Sequence, residues 1–168
     1  MPLNLTKIYN QHLDITGMGE HQRLSSLRRV FDRDFQESVP FFKQKPIYPT
    51  PSNDGTIPMD ILFAHLTTQV TDKKTRKREF ELERSKRLHW VRFHLDSKKQ
   101  NNMLIFSVKE PEGNRTYIYD QDEKYVVILK PLLNCQSYYL LTAYYIEGRD
   151  DKRNKIEKKY DRRLDVIL

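Results

Sequence analysis

The chain of 168 residues holds one cysteine, Cys135, which excludes an internal disulfide and any Cys-x-x-Cys metal or redox pair. Glycine is scarce, at five residues, and none builds the glycine-rich turn that cradles a nucleotide phosphate. No apolar run approaches the ~20 residues of a helical membrane span. The first residues lack the charged-then-apolar pattern of a secretory leader, so a cytoplasmic protein with no membrane partner is expected. With 38% hydrophobic residues and a mean hydropathy of -0.79, the core has to be economical.

Aromatic residues and positive charge are plentiful. Ten tyrosines and eight phenylalanines can each bury a large area, and every tyrosine keeps a polar tip. A net charge of +7 favours a polyanionic partner. Its distribution points further: Lys73, Lys74, Arg76, Lys77 and Arg78 are followed by Arg84, Lys86, Arg87 and Arg92 in a stretch where acids are sparse. A second basic block, from Lys152 to Arg163, is interleaved with Asp150, Asp151, Glu157 and Asp161 and reads equally well as a solvated helix face.

Periodicity predicts the elements. Leu5, Ile8, Tyr9, His12 and Leu13 recur at helical spacing and are stopped at Gly17; Leu24, Leu27, Val30 and Phe31 repeat the pattern. Pro40, Pro46, Pro49, Pro51 and the turn-like Ser52–Gly55 read as an irregular connector. Pro58 then opens a helix that the β-branched, charged stretch 67–75 interrupts, and residues 79–95 read as helical again. Beyond residue 102 come four short β-branched and aromatic segments, 103–108, 115–119, 124–129 and 138–146, with separators that favour consecutive hairpins. Tyr125–Leu129 is apolar on both faces, as in a covered interior strand. A closing helix carries Ile156, Tyr160, Leu164 and Ile167. The fold expected is α+β: a helical N-terminal extension with a Pro-rich connector (1–55), then a domain (56–168) with a helix packed on a four-stranded antiparallel sheet and a closing C-terminal helix.

Four segments in this order, Arg87-Leu-His-Trp-Val, Arg115-Thr-Tyr-Ile-Tyr, Tyr125-Val-Val-Ile-Leu and Leu140-Leu-Thr-Ala-Tyr, carry a resemblance to the barnase–EndoU–colicin–RelE superfamily of RNases, in its phage- and prophage-encoded branch. The resemblance covers about residues 79–160. It implies an antiparallel sheet forming an RNA cleft and a toxin-like ribonuclease of a mobile element, for which a protein inhibitor or antitoxin would be a natural partner. Residues 1–70 resemble nothing in that superfamily, and its catalytic residues vary too widely between members to be transferred as a set.

Metal-free RNA cleavage needs an acceptor for the 2′-OH proton, a donor for the leaving oxygen, and cations or hydroxyls for the phosphorane. His89 is the candidate for proton transfer, and Arg87 for gripping the phosphate. Thr142 and Tyr144 alternate with Ala143 and could share one cleft. Lys77, Arg78, Arg84 and Arg92 are candidate RNA-backbone contacts, and Trp90 and Tyr117 candidate stacking surfaces. On a regular helix Arg87 and His89 point about 160° apart, so one cleft cannot use both. His65, His89 and His94 lack the i, i+4 pairing of a helical zinc site, and the predicted strands carry few carboxylates, so neither a metal nor a cofactor is expected. The reading is a metal-independent endoribonuclease acting by 2′-OH attack. The alternative is a non-catalytic nucleic-acid-binding or phage interaction protein on the same scaffold.

Overall fold

The computed structural model describes residues 3–134, 136–148 and 150–168, without the side chains of 150–154, so the expectation that Cys135 sits in a turn lies outside the described residues. Helix α1 spans Glu20–Phe31, and a π-helical turn, Asp32–Gln36, continues it. Strands β1 (Phe41–Phe42) and β2 (Lys45–Pro49) precede helix α2 (Pro58–Thr67). Strands β3 (Thr68–Asp72) and β4 (Lys77–Phe80) lead into two short helices, α3 (Leu82–Ser85) and α4 (Trp90–Leu95). Strands β5 (Met103–Glu110), β6 (Gly113–Asp120), β7 (Tyr125–Pro131) and β8 (Tyr138–Tyr145) follow, and helix α5 (Asp150–Asp161) comes last.

The fold is mixed α+β, and β5 to β8 pair as the expected antiparallel meander. The sheet is nevertheless six-stranded and mixed, in the order β1-β2-β8-β7-β6-β5, because β2 adds to β8 in parallel with Tyr48 beside Tyr139. The Pro-rich connector thus supplies two strands. The tight turn between Phe42 and Lys45 places Lys43 and Gln44 at φ 51° and 67°, the left-handed pair that a two-residue hairpin requires. Residues 79–95 are likewise not one helix: 68–80 form a separate two-stranded hairpin, and the helical remainder breaks between Ser85 and Trp90. Residues 3–16 hold only a 3-10 turn at Leu3–Thr6 and otherwise run as an irregular strap with a tight turn at Tyr9 and Asn10.

Pleating divides the sheet into two apolar faces. On one, Tyr125, Val127 and Leu129 pack with Leu140 and Ala143 against Leu88, Trp90, Val91 and Leu95, joined by Leu27, Phe31 and Leu62 from the first two helices. On the other, Phe106, Val108, Tyr117, Tyr119 and Val126 pack under Ile156 and Tyr160 of α5. Beyond α5 the chain crosses the β5 edge, where Leu164 N donates to Ser107 O at 2.8 Å.

Strand β7 therefore lies between β6 and β8 with both faces covered, and Val127 is fully buried. A carboxylate there loses its hydration without gaining a partner, at a cost of several kcal/mol against a total stability of about 5–15 kcal/mol. Val127→Asp is expected to abolish the cooperative thermal transition in circular dichroism. A melt close to wild type would place this strand at the surface.

Candidate nucleic-acid interface

The β2 strand pairs only with Tyr138–Leu140, so the second half of β8 has no strand on that side. Helices α2 and α3 and the base of the β3–β4 hairpin close around this open edge. A cleft of about 390 Å³ forms there, lined by Gln69, Glu81, Arg84, Tyr144, Tyr145 and Glu147, with Lys155 and Lys159 on the α5 side. Glu81 caps α3, accepting from Glu83 N at 3.0 Å and Arg84 N at 2.7 Å, and so fixes where the Arg84 side chain departs.

Arg84 donates from one terminal nitrogen to the carbonyls of His65 (2.8 Å) and Thr68 (2.9 Å), and its guanidinium sits 5.5 Å from the Tyr144 ring centroid. Its Nε is buried and unbonded, and no described carboxylate forms an ion pair with it. Burial lowers the Arg84 pKa and raises that of Tyr144, so the tyrosine keeps its proton. At the mouth, Glu147 is exposed and has no ion pair among the described residues, whereas Lys159 pairs with Glu110.

The remaining candidates are dispersed. Arg87 is buried: one terminal nitrogen bonds the Glu83 carbonyl and carboxylate, both at 2.7 Å, while the guanidinium stacks 3.9 Å from the Tyr145 ring centroid. It supports a cleft-lining ring from behind instead of facing the cleft. Thr142 lies on the same sheet face as Tyr144, yet it borders a neighbouring groove with His65, Leu140 and Leu141. His89 borders a third groove, on the far side of α4, with Arg92, Phe93 and Ile8. Its Nε2 lies 3.0 Å from the Ile8 carbonyl, and burial pushes its pKa down to about 4.

Two stacking candidates are corrected by burial. Trp90 is 1% exposed and donates from its indole to Gln11 O at 3.0 Å. Tyr117 is stacked on Phe106 beneath α5, with its hydroxyl 3.1 Å from Glu110. No base can reach either ring. The basic cluster divides as well. Lys73, Lys74, Arg76 and Lys77 are exposed at the hairpin tip. Arg78 is held at the hairpin base by Thr68, and Arg92 is tied to Asp96, Asp34 O and Ser38.

One charged cluster escaped the sequence reading. Asp120, fully buried, receives Tyr9 OH at 2.5 Å and Lys99 Nζ at 2.5 Å, with His94 Nε2 at 2.9 Å and the backbone N–H of Asp122 and Glu123 close by. These bonds hold the Asp120 pKa well below the usual carboxylate range even though burial alone would raise it. An acid at the end of an apolar strand was the only signal. The network joins the strap, α4 and the sheet, and none of its members lines the cleft.

No protein-family model, curated protein or solved structure matches this chain.

The His89 environment makes stability depend on pH. The imidazole ordinarily titrates near 6.5 and in the fold near 4, so between these values the unfolded chain binds the extra proton. His89 therefore favours folding fully above pH 6.5, and its contribution is lost as pH falls towards 4, by up to roughly 3 kcal/mol. Denaturant unfolding at pH 7.5 and 4.5 should show this loss in wild type and a smaller one in His89→Gln. Parallel pH profiles would contradict the buried, neutral imidazole.

Proposed function

We propose that this protein is a metal-independent endoribonuclease that holds the scissile phosphodiester in the Arg84–Tyr144 cleft. The observation that carries the reading is Arg84: a guanidinium with a buried, unbonded Nε and no ion pair among the described residues, in a cleft that Tyr144, Lys155 and Lys159 also line. A phosphate oxygen in the cleft would offset the guanidinium's charge through a charge-assisted hydrogen bond.

In this scheme Arg84 and Lys155 stabilise the charge that develops as the ribose 2′-OH attacks phosphorus. Tyr144, protonated because it is buried, donates to a phosphoryl or leaving oxygen. Glu147, exposed at the mouth and without an ion pair among the described residues, accepts the 2′-OH proton. Arg87 acts through Tyr145 by fixing that ring. His89 takes no part, since it lines a different groove and is held against Ile8. The metal-free assignment is supported by the cleft's composition: its two carboxylates, Glu81 and Glu147, stand among Arg84, Lys155 and Lys159, and among the described residues no group of three or more His, Cys, Asp or Glu side chains is placed to hold a metal ion. A toxin-like role in the cytoplasm, from a mobile element and with a cognate protein inhibitor, belongs to the same reading.

A second reading, RNA binding without cleavage, is favoured by one observation: no imidazole lines the cleft. Incubating the purified protein with total RNA in EDTA separates the two. Cutting is expected, with Arg84→Ala and Tyr144→Phe each slowing it by about 10²–10³-fold and His89→Gln leaving it within a few-fold. Cutting abolished by EDTA and restored by magnesium would contradict the mechanism, and binding without cutting would establish the second reading.

A further inference from the structure

The face of the sheet that carries Tyr144 is only half covered. Helix α5 packs over its β5 side, where Ile156 and Tyr160 meet Phe106. Across β8, β2 and β1 the pleat places Tyr144, Thr142 and Tyr139, then Tyr48 beside Tyr139, then Phe41 opposite Pro46, all on this face. Their buried neighbours Ile47, Tyr138, Leu140 and Ala143 point the other way. Phe41 is 51% and Tyr48 44% exposed, and Tyr139 is partly exposed. Among the described residues, none of these three rings stacks on another ring. Lys130 pairs with Tyr139 on the same face, and none of the residues named on it is acidic.

We infer that this uncovered half-sheet is a stacking platform for single-stranded RNA that runs into the Arg84–Tyr144 cleft; the inference rests on the RNA reading of that cleft. Flat aromatic rings on a pleated surface take bases by stacking, which every base permits and which a duplex prevents because its base faces are already stacked. Tyr139 and Tyr144 are separated by roughly 15 Å along β8, so a strand with one nucleotide in the cleft lays its neighbours over Thr142 and Tyr139 and continues to Tyr48 and Phe41. Lys130 supplies phosphate neutralisation midway. The protein's net charge of +7 opposes a second copy as occupant and favours a polyanion. The substrate class is unpaired RNA that extends several nucleotides to one side of the cut.

The experiment uses the full chain and a fluorescent twelve-nucleotide RNA with 2′-fluoro sugars, which lacks the 2′-OH nucleophile, alongside the same strand annealed into a duplex. Anisotropy titration should show the single strand bound at least tenfold tighter than the duplex. Tyr48→Ala and Tyr139→Ala should each weaken single-strand binding by roughly tenfold, with Tyr48→Phe and Tyr139→Phe retaining it, since stacking needs the ring and not the hydroxyl. Unchanged thermal melts confirm that these surface variants fold. Equal affinity for duplex, wild-type affinity in the Tyr48→Ala/Tyr139→Ala double variant, or no RNA binding at all would overturn the platform. Self-association that the double variant abolishes while RNA affinity stays unchanged would make the face a contact between copies and overturn it as well. Cleavage of total RNA, scored separately, distinguishes the two failures: a double variant that binds and cuts like wild type removes the platform and leaves the cleft reading intact.

Discussion

Asp120 is the constraint on which the rest of the arrangement hangs. A carboxylate with no exposure to water is costly, and it persists here because three side chains and two backbone N–H groups converge on its two oxygens. Each donor comes from a different place: Tyr9 from the N-terminal strap, His94 from α4, Lys99 from the loop before β5, and the amides from the β6–β7 turn. Satisfying one carboxylate therefore fixes four segments at once. Removing one partner of such a network typically costs about 3–5 kcal/mol, a large fraction of the stability of a domain this size.

That anchor determines what the sheet can present. With the strap and α4 locked by Tyr9 and His94, Trp90, Val91 and Leu95 are pressed onto one face, which becomes closed core. The opposite face is covered by α5 on the β5 side alone, and β8 is paired with β2 along only three residues. The cleft forms where pairing and cover run out together, at the end of β8, where Arg84 reaches round the open edge to Tyr144. Arg87, from the next turn of chain, pairs with Glu83 and stiffens Tyr145. Two arginines three residues apart thus differ: Arg87 is ion-paired with Glu83, whereas Arg84 bonds two carbonyls and has no ion pair among the described residues.

Where a period or a turn residue carried the information, the sequence was readable. The four meander strands, the start of α2 after Ile57 and the two-sided burial of Tyr125–Leu129 all follow from such signals. The β1–β2 hairpin was hidden because Lys43 and Gln44 fill a turn that usually shows Asn-Gly, and because Pro46 and Pro49 argue against a strand unless it lies near a sheet edge. The β3–β4 hairpin was hidden under its own charge, which resembles a helix face; its turn is instead set by Asp72, which accepts from Lys74 N and Thr75 N. Of the candidate site, Arg84 and Tyr144 were identified in the sequence and do meet. Their meeting depends on β2 stopping short along β8, a long-range fact with no local trace. His89 attracted attention as an imidazole near cations, and its sequestration comes from the Ile8 carbonyl, 81 residues away in the chain.

The central claim is that the ribose 2′-OH, and no bound metal or water, is the nucleophile in the Arg84–Tyr144 cleft. The most direct measurement is mass spectrometry of the ends produced from a defined single-stranded RNA in EDTA, compared with the same RNA carrying one 2′-deoxy nucleotide 5′ to the cut. A 2′,3′-cyclic phosphate or 3′-phosphate end, with no cutting at the deoxy position, is the result expected. A 5′-phosphate with a free 3′-hydroxyl, or undiminished cutting at the deoxy position, would contradict it.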